Sequence, residues 1–467
     1  MSSDKHLFVL VHGLWGTHKH MEPMEEVFRD VIPKDEGIIY FAPRQNAKFK
    51  TFDGIEIIGY RTLIELCHFI KSYDGPGKIT KISIVGYSLG GLIARFLVGK
   101  CFSDCKELFK GIEPQLFITV ASPHLGIDFY NRSGLWRGWL LNPFLKFLGT
   151  TFLGKSGREL FITNGYNDIL VRLSQESYLE NLKLFKHRVV FGNVKNDRTV
   201  AFYTAIISDC DPFIETNNRV RYVFEENIPD SDSFTSRIFP RIVDLNRLDK
   251  RVAIGNNRAP DKRLKITFQN VMLIFLMMTL VLPIALVLNL CGTLYSYWTT
   301  RKYRNMFQDD KLPDIVREQL GLSDQLQRYV SNTYQSIIDE NNANGTNGDD
   351  TDDLRSADGD LQKIRSASLT SRENIELWDN FVEKYTHIGD RDQHWLSEFD
   401  RLPLDEKRRQ IFRNLSTVEW IRVPMYIKSI NAHGGIVARR GINEKTPATS
   451  LAGLQFEAKL IKYLLHK

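Results

Sequence analysis

At 467 residues the chain exceeds one compact domain of ordinary size, so a core carrying an insertion is expected. Five cysteines, odd in number and without zinc or redox spacing, exclude a disulfide scaffold and a thiolate metal site, and they read as reduced thiols of a cytosolic protein. The net charge of +6 is mild; it is compatible with an anionic lipid surface, and no motif accompanies it that would suit nucleic acid.

The N-terminus passes from Met1-Ser-Ser-Asp-Lys-His6 straight into the apolar strand His6–Val11, so no signal peptide is expected. The strand opens into His12-Gly13-Leu14-Trp15-Gly16, an early-strand His-Gly loop. In hydrolases of this shape such a loop donates one backbone N–H to an oxyanion, and the residue after the nucleophile donates the second. Leu14 and Leu89 are the expected donors, and His12 is expected to orient the loop.

Next comes Lys81-Ile-Ser-Ile-Val-Gly-Tyr-Ser88-Leu-Gly-Gly-Leu-Ile-Ala-Arg95, a buried strand that enters Gly-x-Ser-x-Gly and leaves as a helix. That order is the signature of a nucleophile elbow, in which Gly86 and Gly90 permit a tight turn and Ser88 stands exposed above a sheet. The fold class expected is α/β, an α/β-hydrolase with a mostly parallel central sheet. Residues 126–161 hold Trp136, Trp139, Phe144, Phe147 and Phe152 among Gly and Pro, which suits either a lid with an acyl groove or an ordinary cap.

A hydrolase of this class needs an acid and then a base after the serine, each beyond a strand. Arg188–Val194 is β-rich and runs into Lys195-Asn-Asp197, making Asp197 the expected acid ahead of Asp209 and Asp211, which lie beside the turn signal of Pro212. Pro424–Ile430 reads as a short strand that delivers Asn431-Ala-His433-Gly-Gly435, so His433 is the expected base. His124, in Ser122-Pro-His-Leu-Gly126, is the rival, but it precedes the acid in chain order. No metal and no organic cofactor is implied by this chemistry.

Between acid and base lies Ile266–Thr300, about 35 residues without a charge and long enough for one membrane span. Basic residues flank it on both sides, Lys262, Arg263 and Lys265 before and Arg301, Lys302 and Arg304 after, so charge sets no orientation. Because Ser88 and Asp197 precede the stretch and His433 follows it, a single crossing would separate the three. A hairpin bent near Pro283 is expected, with an interfacial helix or burial in protein as alternatives. Residues 339–374, rich in Asn, Asp, Gly and Ser, read as a disordered linker. From Glu376 helical spacing resumes, and Leu451–His466 reads as a terminal amphipathic helix covering the sheet.

The expected organisation is therefore a first core part over 1–225, an insertion over 226–338 with its membrane segment at 266–300, the linker 339–374, and a C-terminal core part over 375–467. Taken together, Lys5–Gly16, Thr51-Phe-Asp-Gly-Ile55, Pro123-His-Leu-Gly126, Val194–Thr204 and Asn431–Arg440 resemble the fungal and plant serine esterases related to lipases. That resemblance implies hydrolysis of acyl esters of glycerophospholipids at the surface of a lipid droplet, on a membrane or monolayer facing the cytosol, the endoplasmic reticulum included. A neutral-lipid lipase would share every motif, and a catalytically silent membrane-anchored scaffold is the alternative of another class.

Overall fold

A computed structural model gives the architecture. It describes residues 4–33, 37–130, 146, 149–163, 168–214, 220–235, 238–250 and 371–467, together with 279, 283, 286, 287, 290, 291, 294 and 298. Residues 131–145, 147 and 148 of the expected lid, nearly all of the 266–300 stretch and the 339–370 part of the linker lie outside the described residues.

Apolar runs of β-branched residues build a six-stranded sheet. In chain order its strands are β1 (Lys5–Val11), β2 (Ile38–Phe41), β3 (Ile79–Tyr87), β4 (Glu113–Val120), β5 (His187–Asn193) and β6 (Ile421–Met425). Their spatial order is β2-β1-β3-β4-β5-β6 and every neighbouring pair is parallel. Parallel strands need crossover helices on both faces, which explains why the central strands carry continuous buried apolar runs instead of strict alternation. Residues Leu7–Leu10, Ile84–Val85 and Phe117–Ile118 are all buried.

The helices that cover the sheet are α1 (Glu22–Val31), α2 (Ile55–Ser72), α3 (Leu89–Cys101), α4 (Gly154–Leu160), α5 (Glu176–Lys183), α6 (Ser371–His387), α7 (Glu406–Leu415) and α8 (Ala448–His466). Helix α3 packs between α2 and α5, whereas α1 packs on α8. The arrangement is consistent with an α/β-hydrolase. Strand β5 and its neighbour β6 are more than two hundred positions apart in the chain, so the segment after the insertion completes the sheet.

Strand β6 corrects the sequence expectation, which began the strand at Pro424. The strand lies over Ile421–Met425 with Pro424 inside it, and residues 426–430 are irregular. Proline lacks an N–H and is tolerated on an edge strand. Here β6 is the sheet edge, and the Pro424 carbonyl accepts from Val243 N–H at 2.9 Å across an antiparallel bridge. The last helix begins at Ala448, one turn before the expected Leu451, and buries Leu454, Phe456, Leu460, Ile461 and Leu464 as expected.

Candidate active site

The carboxyl ends of the strands carry the candidate residues, the edge at which parallel sheets bind ligands. Ser88 follows β3 directly with φ 56° and ψ −126°, a left-handed conformation that a serine adopts only where its surroundings enforce it. The enforcement is visible in the packing. A Cβ on Gly90 would lie 2.1 Å from the Val11 carbonyl oxygen, and one on Gly13 would lie 2.6 Å from Ser88 Cβ. Only glycine at these two positions lets α3 start against the end of β1 and lets the His-Gly loop lie on the serine.

From Ser88 a line of hydrogen bonds runs to Asp197. Ser88 Oγ is 2.8 Å from His433 Nε2, and His433 Nδ1 is 3.0 Å from Asp197 Oδ2. All three side chains are nearly or fully buried. Asp197 Oδ1 accepts from the backbone N–H groups of Thr199 at 3.0 Å and Val200 at 2.8 Å. Burial pushes this carboxyl up, but the His433 imidazole and the donors from Val200 and Asn193 more than offset it, holding the acid below its usual range. The geometry suits proton transfer from Ser88 to His433, with a carboxylate fixing the tautomer.

The remaining candidates separate cleanly. His124 is buried, with Nε2 2.8 Å from Thr119 Oγ1, and burial holds its imidazole well below the usual range. Asp211 accepts from the N–H groups of Tyr203 and Phe213, and Asp209 pairs with Arg401. None of these three meets Ser88 or His433. His12 is buried and donates from Nδ1 to the Gly13 carbonyl at 3.0 Å, and burial lowers its imidazole to about 4. Such a histidine is neutral near pH 7, which suits a loop-orienting part.

Leu14 follows Gly13, which packs on Ser88, and Leu89 follows Ser88 directly. Leu89 is the first residue of α3, where helix N–H groups lack intrahelical partners, and among the described residues neither its N–H nor that of Leu14 donates to a protein acceptor.

Three further residues hold the line together, and sequence reasoning passed over them. Asn193, at the end of β5, donates to Asp197 Oδ2 at 2.8 Å and to the Ala432 carbonyl at 3.2 Å. Asn196 donates to the Ser429 carbonyl at 3.1 Å, while its own carbonyl accepts from Ala432 N–H at 3.2 Å. Tyr87 OH donates to the His433 carbonyl at 2.9 Å. The acid loop and the histidine loop are thereby stitched together. The available signal was a polar Asn closing the buried run 189–192.

The two ends of the 126–161 segment meet. Ile127 N–H donates to the Leu160 carbonyl at 2.7 Å, and the buried Arg408 of α7 donates to the carbonyls of Ile127 at 2.7 Å and Phe161 at 3.3 Å. Phe152, the one described aromatic of the five named for the lid, is half-buried.

Comparison with known proteins gives a coherent set of matches. Residues 1–212 match the family model described as "Putative serine esterase (DUF676)". "Putative lipase ROG1" of Saccharomyces cerevisiae is 30% identical over 253 residues, covering 50% of this chain and 34% of that one. "Putative lipase C4A8.10" of Schizosaccharomyces pombe is 27% identical over 218 residues, covering 44% of this chain and 26% of that one. The match thus spans about a third or less of the length of these relatives. A solved lipase-esterase related protein from Clostridium acetobutylicum is 15% identical, with a TM-score of 0.21 over 40% of this chain and 74% of that one, a likeness too slight to bear on fold or function.

Proposed function

We propose that this chain, whose residues 1–212 match the model of that serine esterase family, is a lipid hydrolase in which Ser88 attacks an acyl carbonyl. The observation that carries this reading is the hydrogen-bonded line Ser88–His433–Asp197, drawn from three loops at one edge of the sheet. In the reaction, His433 Nε2 takes the Ser88 proton as Oγ bonds to the carbonyl carbon. Asp197 stabilises the imidazolium, and the Leu14 and Leu89 N–H groups receive the oxyanion. The imidazolium then protonates the leaving alcohol, and water, deprotonated by the same nitrogen, releases the fatty acid from Ser88. Nothing in these steps calls on a metal or an organic cofactor.

The substrate is a long-chain acyl ester held at a lipid surface, with a glycerophospholipid as the preferred class and a triacylglycerol as the second. Two observations support a lipid. Trp15, Phe49 and Phe52 form a half-buried aromatic cluster beside the His-Gly loop, with ring centroids 4.5 Å apart for Trp15–Phe49 and 5.4 Å for Trp15–Phe52. Leu286, Val287, Leu290 and Leu294, in the long uncharged stretch, are all exposed, and apolar side chains in that state gain by entering lipid. We place the enzyme on the cytosolic face of a lipid droplet or endoplasmic-reticulum leaflet.

The test is to incubate purified wild type and Ser88→Ala with a mixed phospholipid and triacylglycerol emulsion and to analyse the lipids. Wild type should release fatty acid, chiefly with lysophospholipid, and should bind a fluorophosphonate covalently. Ser88→Ala should do neither. Full labelling or undiminished release in the alanine variant would remove Ser88 as nucleophile, and release from triacylglycerol alone would overturn the phospholipid assignment.

A further inference from the structure

The Thr51-Phe-Asp-Gly motif has no part in the reaction as written above, yet its threonine touches the oxyanion loop. Gly16 N–H donates to the Gly13 carbonyl at 3.1 Å, so Gly13–Gly16 is a β-turn with Leu14 and Trp15 at its centre. Trp15 has φ 56°, while Leu14 is not among the residues of positive φ. That combination is the form of turn whose third position favours glycine, because a side chain there crowds the backbone. Flipping the Leu14–Trp15 peptide would return Trp15 to an ordinary negative φ. Something must therefore hold the strained form.

The holding group is Thr51. Trp15 N–H donates to Thr51 Oγ1 at 2.9 Å, and the same hydroxyl donates its one proton to the Lys48 carbonyl at 2.6 Å. With its proton committed, the oxygen faces Trp15 only as an acceptor, so the flipped peptide, which would turn the Leu14 carbonyl toward it, finds no donor. Thr51 is 1% exposed, which leaves no room for water to substitute. Its carbonyl in turn accepts from Ser156 Oγ of α4 at 2.7 Å, and Ser156 Oγ accepts from Gly54 N–H at 3.0 Å. A run of hydrogen bonds thus leads from the cap helix through Ser156 and Thr51 to the turn that carries Leu14.

We propose that Thr51 is a positioning residue for the oxyanion site: by holding Trp15 N–H its hydroxyl fixes the Leu14–Trp15 peptide and so steadies the Gly13–Gly16 turn whose preceding peptide carries Leu14 N–H, and Ser156 steadies Thr51 from the cap. This rests on the hydrolase reading. It assigns the loop's amides distinct parts, with Trp15 N–H spent on Thr51, Gly16 N–H closing the turn, and Leu14 N–H left for the oxyanion.

The experiment compares full-length wild type, Thr51→Val, which keeps the shape and loses the hydroxyl, and Thr51→Ser, which keeps the hydroxyl. Steady-state hydrolysis of p-nitrophenyl butyrate gives kcat and KM, and fluorophosphonate labelling gives the reactivity of Ser88. Removing an oxyanion donor costs about 10²–10³ in kcat, so a donor displaced but not deleted should cost about 10- to 100-fold. Thr51→Val should show that fall in kcat with KM within about twofold, and Thr51→Ser should recover most of it. A merely structural threonine would lower melting temperature without this split. Equal kcat in the Val and Ser variants would overturn the proposal. Should Thr51→Val not fold, Ser156→Ala provides the second reading: a lower kcat at unchanged KM supports the brace, and an unchanged kcat overturns it. A wild type that neither hydrolyses the ester nor takes the label would instead overturn the hydrolase reading itself.

Discussion

Asp197 accepts hydrogen bonds from four directions, and this fixes the sign of its response to pH. Its folded-state carboxyl titrates below the usual value, so the stability it contributes is present above the unfolded pKa of about 3.9 and is lost as pH falls through the folded one. Asp197→Asn should therefore flatten the acid limb of a urea-denaturation series below about pH 5. An unchanged acid limb would show that the carboxylate is not held as the geometry indicates. The same variant presents an amide to His433 Nδ1 and favours the wrong tautomer, so kcat should fall on the scale of 10³ to 10⁴, as should that of His433→Ala. His124→Ala should leave the mechanism working, because its Nε2 is occupied by Thr119. Loss of turnover in His124→Ala alone would reverse the assignment of the base.

Among the elements, α8 carries a cost that its amphipathic pattern conceals. Glu457 lies mid-helix, is 0% exposed, and among the described residues neither carboxylate oxygen has a hydrogen-bond partner. Burial alone raises its pKa well above the usual value. The folded protein consequently keeps this proton where the unfolded chain loses it, near pH 4.3 or somewhat above, and stability falls as pH rises through that window until the folded group itself ionises. Glu457→Met should stabilise the protein by about 1–3 kcal/mol and by more at pH 8 than at pH 5, with esterase activity unaltered. A gain independent of pH, read from urea melts at both values, would contradict the protonated state. The elements that were legible in the sequence share one property: a local pattern with a mechanism behind it. Gly-x-Ser-x-Gly between an apolar strand and a helix, and a loop histidine beyond the last strand, are local. Asn193, Tyr87 and Thr51 were not legible because their importance depends on which distant loop they meet, and Glu457 because a charge in an amphipathic helix that also carries Lys459 and Lys462 reads as part of its wet face. Pro424 misled for a related reason. Its tolerance depends on β6 being an edge strand, and strand order cannot be read from a single segment.

For the molecule as a whole, the contact between Ser88 and His433 constrains the stretch between them. Asp197 and Ser88 lie before residues 266–300 and His433 after, yet the three are joined by hydrogen bonds of 2.8 and 3.0 Å. Chain on both sides of the stretch must then occupy one aqueous compartment, so a single crossing is incompatible with the site. No helix among the described residues is long and apolar enough to cross a membrane, and most of this stretch lies outside them. A hairpin turning near Pro283 satisfies both the site and the exposed Leu286, Val287, Leu290 and Leu294, since its flanks return to the side they left. Deleting 266–300 should release the protein from membranes and droplets into the soluble fraction. Replacing Leu276 and Leu286 with Arg should weaken attachment, because a charge near the centre of a hydrocarbon layer costs about 2.5 to 3.5 kcal/mol on insertion scales. Tags placed after Arg258 and after Asp350 should both be open to protease added outside intact microsomes. Protection of one tag alone would establish a single crossing, and it would then be impossible for Ser88, Asp197 and His433 of one chain to work as a unit.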